Sequence, residues 1–191
     1  MGRFSLFILK KIILCSLVVS QASAREIEGI KIPETLNCHG KELPLQGVGI
    51  RKATIFGIKV YALSYYGENN FKKINDPLLE SRPICINVNY LRDFDNEDVD
   101  KAWEYQFKES SSFPYDKLKD HIKEIKSFFG DIKGERLQTF HLNDEGTIFF
   151  ENNNSKGEIK GREFQKNFLS LFFGEKPPTK ELRNELLNLK D

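Results

Sequence analysis

The run Leu45–Tyr66, LQGVGIRKATIFGIKVYALSYY, constrains the fold more than any other stretch. With the two-residue period of a strand, Val48, Ile50, Lys52 and Thr54 share one face, and Gly47, Gly49, Arg51, Ala53 and Ile55 share the other. Past a corner at Gly57, Ile58, Val60, Ala62 and Ser64 face one way while Lys59, Tyr61, Leu63 and Tyr65 face the other. Both faces of that second segment can be covered, as in an interior strand. Arg51 projects from a face otherwise made of very small residues. A guanidinium fork beside two glycines, which would leave it space, suits the floor of an anion site. The alternative is an arginine at a strand edge that reaches solvent or a surface carboxylate.

The first 24 residues read as an export signal. Arg3, Lys10 and Lys11 supply the positive region, Ile12 to Val19 an eight-residue apolar run, and Ala22-Ser23-Ala24 a small-residue cleavage pattern. An apolar run that short falls well below the roughly 20 residues a bilayer span needs, so no stable span is expected after cleavage. Leu14 before Cys15 argues against a lipidated cysteine. Cleavage leaves residues 25–191, enough for one domain with its own core. Without Arg3, Lys10 and Lys11, 26 of the 29 basic residues remain against 28 acidic, a net charge of −2. That balance, without a basic block or a base-stacking motif, gives no reason to expect nucleic acid as a partner. The chain after the signal keeps two cysteines, Cys38 and Cys85: one bridge, or two thiols.

Periodicity sets out the rest. Ile27–Ile32 and Leu36–His39 read as two short strands, Gly67–Arg82 as a polar loop with a helical turn near Phe71–Ile74, and Pro83–Leu91 as a strand with one apolar and one polar face. Asp95 caps a helix over about residues 96–109, carrying Val99, Ala102, Trp103 and Phe107 inward. Leu118, Ile122, Ile125 and Phe129 mark a second helix ending at Gly130. A meander of residues 136–142, 147–151 and 157–160 follows. Phe164, Phe168, Leu171 and Phe172 then line a helix stopped at Gly174, and Thr179 caps a last one with Leu182, Leu186 and Leu189 facing inward. Strands and helices come in runs, so the class is α+β: a large antiparallel sheet with a layer of helices on one face.

Signatures of catalysis and of cofactors are missing. His39, His121 and His141 lie at no metal-ligand spacing, and there is no zinc-protease helix, nucleophile elbow, phosphate loop or dinucleotide fingerprint. Gly47-Val48-Gly49 leads into a strand where the fingerprint needs a helix. Asn153-Asn154-Ser155 matches a glycosylation sequon, which matters only in a eukaryotic secretory pathway. Neither metal nor cofactor is expected.

Taken together, LQGVGIR at 45–51, IKVYALSYY at 58–66, NYLRDFDNEDV at 89–99 before a tryptophan-bearing helix, and GEIKGREFQKNFLSLFFGEKPP at 157–178 resemble the chalcone isomerase superfamily, and within it the bacterial exported branch of chalcone isomerase-like proteins. The resemblance implies an open-faced sandwich with a ligand cleft between sheet and helices. In the plant enzymes of that superfamily an Arg, a Thr, a Tyr and an Asn act together to cyclise a hydroxychalcone. Arg51 matches the Arg, whereas the other positions fall on Tyr61, near Asp95 and near Ala102. One match in four argues against catalysis, and an Asp near the phenolate would repel it. The superfamily also implies a non-catalytic alternative in which the Arg grips a carboxylate and an acyl chain fills the cleft.

Three readings follow. The first is a non-catalytic module, periplasmic or secreted, in which Arg51 and Tyr61 bind a small amphipathic carboxylate such as a fatty acid. The second is an intramolecular lyase acting on a chalcone or other enone, and the third an envelope scaffold with a structural Arg51. An open apolar cleft beside Arg51 favours the first two, and a cleft filled by phenylalanines the third. Export itself has a direct check: N-terminal sequencing of the exported protein is expected to start at or near Arg25, and Met1 as the first residue would refute cleavage.

Overall fold

Tight turns between alternating segments fold the chain into two antiparallel ladders. The computed structural model describes residues 24–53, 56–68, 83–111 and 113–189. Residues 1–23 of the segment that reads as an export signal, and the helical turn expected near Phe71–Ile74, lie outside the described residues. A small ladder pairs β1 (Ala24–Ile27) with β2 (Ile30–Pro33). The sequence pattern merges much of this into one strand; it is a hairpin because Glu28 and Gly29 both take positive φ, 55° and 77°. The main sheet has seven strands in chain order: β3 (Thr35–Cys38), β4 (Lys41–Ala53), β5 (Ile58–Tyr66), β6 (Ile84–Tyr90), β7 (Leu137–Leu142), β8 (Gly146–Glu151) and β9 (Asn154–Lys160). Among the described residues four α-helices lie between or after these strands: α1 (Asn96–Ser110), α2 (Lys119–Phe128), α3 (Arg162–Phe173) and α4 (Lys180–Leu187). The expected α+β class is observed. No helix among the described residues is long and apolar enough to cross a membrane.

β4 explains how the β3 edge of the sheet folds back. Its first part, Lys41–Pro44, pairs with β3, and its remainder, from Leu45, pairs with β5. The register slips between Leu45 and Gly47, leaving Gln46 as a bulge, and such a bulge bends a strand and increases its twist. The β3 hairpin thereby comes over the back of the sheet. Cys38 on β3 is bonded to Cys85 on β6, with Cα atoms 6.3 Å apart, although β4 and β5 separate those strands in the ladder. Leu43, Tyr66 and both cysteines pack together there with full burial, and Tyr66 Oη donates to the carbonyl of Pro33 at 3.1 Å. The supposedly polar face of β6 is therefore covered: Cys85 and Asn87 are as buried as Ile86. Of the two readings of the cysteines, the structure takes the bridge. Closing a loop whose ends lie 47 residues apart contributes about 4 kcal/mol in the chain-entropy account.

The front of the sheet carries the core. Trp103 of α1 lies near-parallel to Phe129 and Phe168, with ring centroids 6.4 and 6.1 Å away, and edge-on to Phe140 of β7. Val99, Phe107, Ile122, Ile125, Phe164 and Leu171 complete the helix undersides. Two positions depart from the expected pattern. Ala102 is exposed on α1, and Leu189 lies beyond the end of α4 and is 37% exposed, its inward place taken by Leu187.

α4 packs directly on β4, with Leu182 and Leu186 fully buried. A Cβ built on Gly47 would lie 1.8 Å from the carbonyl oxygen of Leu186, and one on Gly49 2.8 Å from Leu182 Cδ1. The glycines let a helix touch a strand, and do not open ligand space beside Arg51 as the sequence suggested. Gly47→Ala is expected to lower the unfolding free energy by about 3 kcal/mol or more, since backbone must move; denaturant unfolding of the variant measures this.

Candidate functional site

The same packing decides where the sheet is left bare. Leu186 lies over Gly47 and Leu182 over Gly49, so four helix residues, rising about 6 Å, match two strand residues, rising about 6.7 Å. The next step along this register sets residue 178 over Arg51. The helix has not begun there: Thr179 is its N-cap, its Oγ1 accepting from the backbone N–H of Leu182 at 3.2 Å, and Pro177 and Pro178 precede it. Where α4 stops, a cavity of about 550 Å³ opens, and Arg51, Pro177 and Pro178 all line it.

Strands make the floor and α1 the roof. Val60, Tyr61, Val88, Tyr90, Gln138 and Phe140 come from the sheet; Val99, Ala102, Trp103 and Gln106 come from α1, with Leu171 and Phe172 from α3. Charge is confined to a few positions, namely Arg51, Asp98, Glu109 and Lys176. The rim is tied together by hydrogen bonds. Gln106 Nε2 donates to the carbonyl of Leu171 at 3.2 Å, and Ser110 Oγ donates to the carbonyl of Lys176. The phenylalanine core lies deeper and does not fill this space.

Arg51 and Tyr61, the two residues expected to bind ligand, are brought together: they are direct cross-strand partners on β4 and β5. Among the described residues Arg51 has no carboxylate partner, and its guanidinium donates to the neighbouring carbonyl of Lys52. Tyr61 packs edge-on against Tyr90, ring centroids 5.9 Å apart. Burial pushes the Tyr61 hydroxyl well above the usual phenol range, against a smaller downward pull from the Arg51 charge. Tyr90 is raised as well, by burial first and then by Tyr61 and Glu151. Its hydroxyl donates to Gln138 Oε1 at 3.0 Å, while Gln138 Nε2 is buried with no partner among the described residues.

The other family-derived positions divide. Ala102 lines the cavity; Asp95 sits exposed at the start of α1 and does not, whereas Asp98, one turn along, does. Gln138 and Gln106 escape sequence reading because a glutamine on a strand or helix carries no spacing signal. So does a cluster on the back of the sheet. The ligand atoms of Cys38, Cys85 and His141 lie within 4.8 Å of one another, a grouping that spacing along the chain cannot reveal. Burial, followed by the nearby His39, pushes the His141 imidazole down to about 4, so it is neutral at physiological pH.

Residues 24–188 match the chalcone isomerase-like family model. No curated protein matches the chain. Among solved structures, a fatty-acid binding protein of Arabidopsis thaliana has the same fold, with a TM-score of 0.72 and 18% identity over 88% of this chain and 96% of that one.

The phenols give a pH prediction. Folding favours the neutral form of Tyr61 and Tyr90, so their contribution to stability is complete below the ordinary phenol pKa near 10 and is lost as pH rises above it. In a difference-absorption titration of wild type against Tyr61→Phe, no phenolate signal from Tyr61 is expected until well above pH 10 while the fold persists. A normal titration near 10 would show the hydroxyl to be solvated.

Proposed function

We propose that this chain, which belongs to the chalcone isomerase-like family, is a non-catalytic binder of a small amphipathic carboxylate, with a fatty acid as the leading candidate. The observation that carries this reading is an apolar cavity with a cation lacking any described protein carboxylate at its sheet side. The volume falls within the range of small-molecule sites, and the lining has their usual character: apolar walls with a few convergent polar groups. The carboxylate accepts from Arg51 and from the neutral Tyr61 hydroxyl, and charged hydrogen bonds of this kind contribute about 1.5–3 kcal/mol. Each buried methylene adds about 0.8 kcal/mol along the apolar walls. Asp98 and Glu109 disfavour an anion on the helix side, which orients the carboxylate toward the strand. That the Arabidopsis neighbour is a fatty-acid binding protein supports the choice of ligand class.

Catalysis is the weaker reading for chemical reasons. Ala102 offers no donor, and Asp98 beside the roof opposes the phenolate that a chalcone substrate must present. Export to a periplasm or beyond is part of the proposal. It rests on the leader sequence and is supported by the Cys38–Cys85 bond, which suits an oxidising compartment, and by a family match that starts at residue 24, beside the predicted cleavage site.

Arg51→Ala is expected to raise the dissociation constant for a long-chain fatty acid by about ten- to a hundredfold, with little change in melting temperature because no described ion pair is broken. Isothermal titration with delipidated protein, together with thermal unfolding of the same variant, measures both. A large loss of stability without an effect on binding would make Arg51 structural. Cyclisation of a 2′-hydroxychalcone by wild type but not by Arg51→Ala would favour the lyase.

A further inference from the structure

The back of the sheet holds a second chemical feature, separate from the cavity. Cys38 arrives on the folded-over hairpin, Cys85 on β6, and His141 on β7 as the direct cross-strand partner of Cys85. Their Sγ and ring nitrogen atoms all lie within 4.8 Å of one another, and both cysteines are fully buried. The His39 ring, next to Cys38 in sequence, has its centroid 5.2 Å from that of His141. No carboxylate belongs to the group. Two sulfurs and an imidazole nitrogen form a soft to borderline donor set of the kind that selects zinc over calcium or magnesium.

We propose that the Cys38–Cys85 pair, when reduced, forms with His141 a zinc site that staples β3 to β6 in place of the disulfide, with His39 or water completing the tetrahedron. Zinc–sulfur bonds of about 2.3 Å and zinc–nitrogen bonds of about 2.0 Å put tetrahedral ligands roughly 3.5–3.8 Å apart. The three ligand atoms already lie inside a slightly larger envelope, so breaking the sulfur–sulfur bond lets the thiolates reach those positions with little backbone movement. The chemistry balances. A water-soluble phosphine reduces the bond, taking oxygen from one water to become its oxide, and leaves two thiols. Binding Zn²⁺ then releases both thiol protons, so that two thiolates and a neutral imidazole surround a dication. The two staples are mutually exclusive, because each sulfur's bonding to the other removes the thiolate that the metal needs. The chain thus has one closure for oxidising conditions and another for reducing ones.

The test titrates Zn²⁺ into residues 25–191, phosphine-reduced or oxidised, against a chromophoric chelator, with Co²⁺ absorption reporting thiolate coordination. One zinc per reduced chain is expected, bound at least a thousandfold more tightly than by the oxidised form. Cys85→Ser and His141→Gln, both reduced, are each expected to lose at least tenfold in affinity. Equal zinc binding by reduced wild type and His141→Gln would overturn the site, as would binding no tighter than the oxidised chain's. Circular dichroism covers loss of fold: if the reduced chain unfolds without metal, refolding on addition of Zn²⁺ supports the site and failure to refold counts against it.

Discussion

The contact between α4 and β4 is the constraint on which the site depends. Glycine at 47 and 49 allows the helix to approach until Leu186 and Leu182 rest on the strand backbone itself. The helix is then anchored from both ends of its contact: Glu185 Oε2 accepts from the backbone N–H of Ile50 at 2.7 Å, and Asn188 Nδ2 donates to the carbonyl of Gln46 at 2.8 Å. Because the two periods nearly match, the helix covers the strand in steps, and its N-cap at Thr179 sets where coverage stops. Arg51 falls just past that limit. The cavity's position along the strand is thus set by where α4 begins, with Pro177 and Pro178 of the preceding loop on its lining.

Behind the cavity, the aromatic core explains why the empty volume survives. Trp103 is held between Phe129 and Phe168 and meets Phe140 edge-on. Large rings fixed in mutual contact resist collapse into neighbouring space, because filling the cavity would break ring contacts worth about 0.5–1.5 kcal/mol each. The polar floor has the same character. Tyr90 is tied to Gln138, leaving Tyr61, beside Arg51, as the hydroxyl without a described partner. On the proposed reading, a neutral donor next to a cation, both within an apolar wall, favours an anion with a tail over a free inorganic ion, since the tail supplies the burial.

Much of this was legible in the sequence, where local chemistry sets local structure. The helices, the meander and the Gly57 corner follow from periodicity and turn residues, whereas the pairing of Arg51 with Tyr61 depends on a register shift between Arg51 and Lys52. What was not legible depends on contacts between distant segments. Gly47 and Gly49 look like space for a ligand until the partner helix, more than 130 residues away, is in place. The Ile27–Ile32 segment hides a turn, because Glu28 adopts a left-handed conformation unusual for its type. The polar face of β6 is buried because a bulge at Gln46 brings the β3 hairpin over it, and no feature of β6 itself announces that. The Cys38–Cys85–His141 group has the same origin: three strands contribute one ligand each, so no spacing rule detects it.

The two sites share β6 but not a face. Cys85 and Asn87 point back toward the folded-over hairpin, whereas Val88 and Tyr90 point forward into the cavity, a consequence of the two-residue alternation of a strand. The staple acts at the start of β6, where Cys85 pairs with Tyr66 at the end of β5, while Arg51 pairs with Tyr61 nearer the other end of β5. Residues this far apart, with no common partner, contribute to stability nearly additively. Exchange of one staple for another therefore changes how firmly the β3 hairpin is held down without altering the register that sets Arg51 beside Tyr61. One strand can serve both a ligand cavity and a covalent or metal closure because its alternation keeps the two chemistries on opposite sides of the sheet.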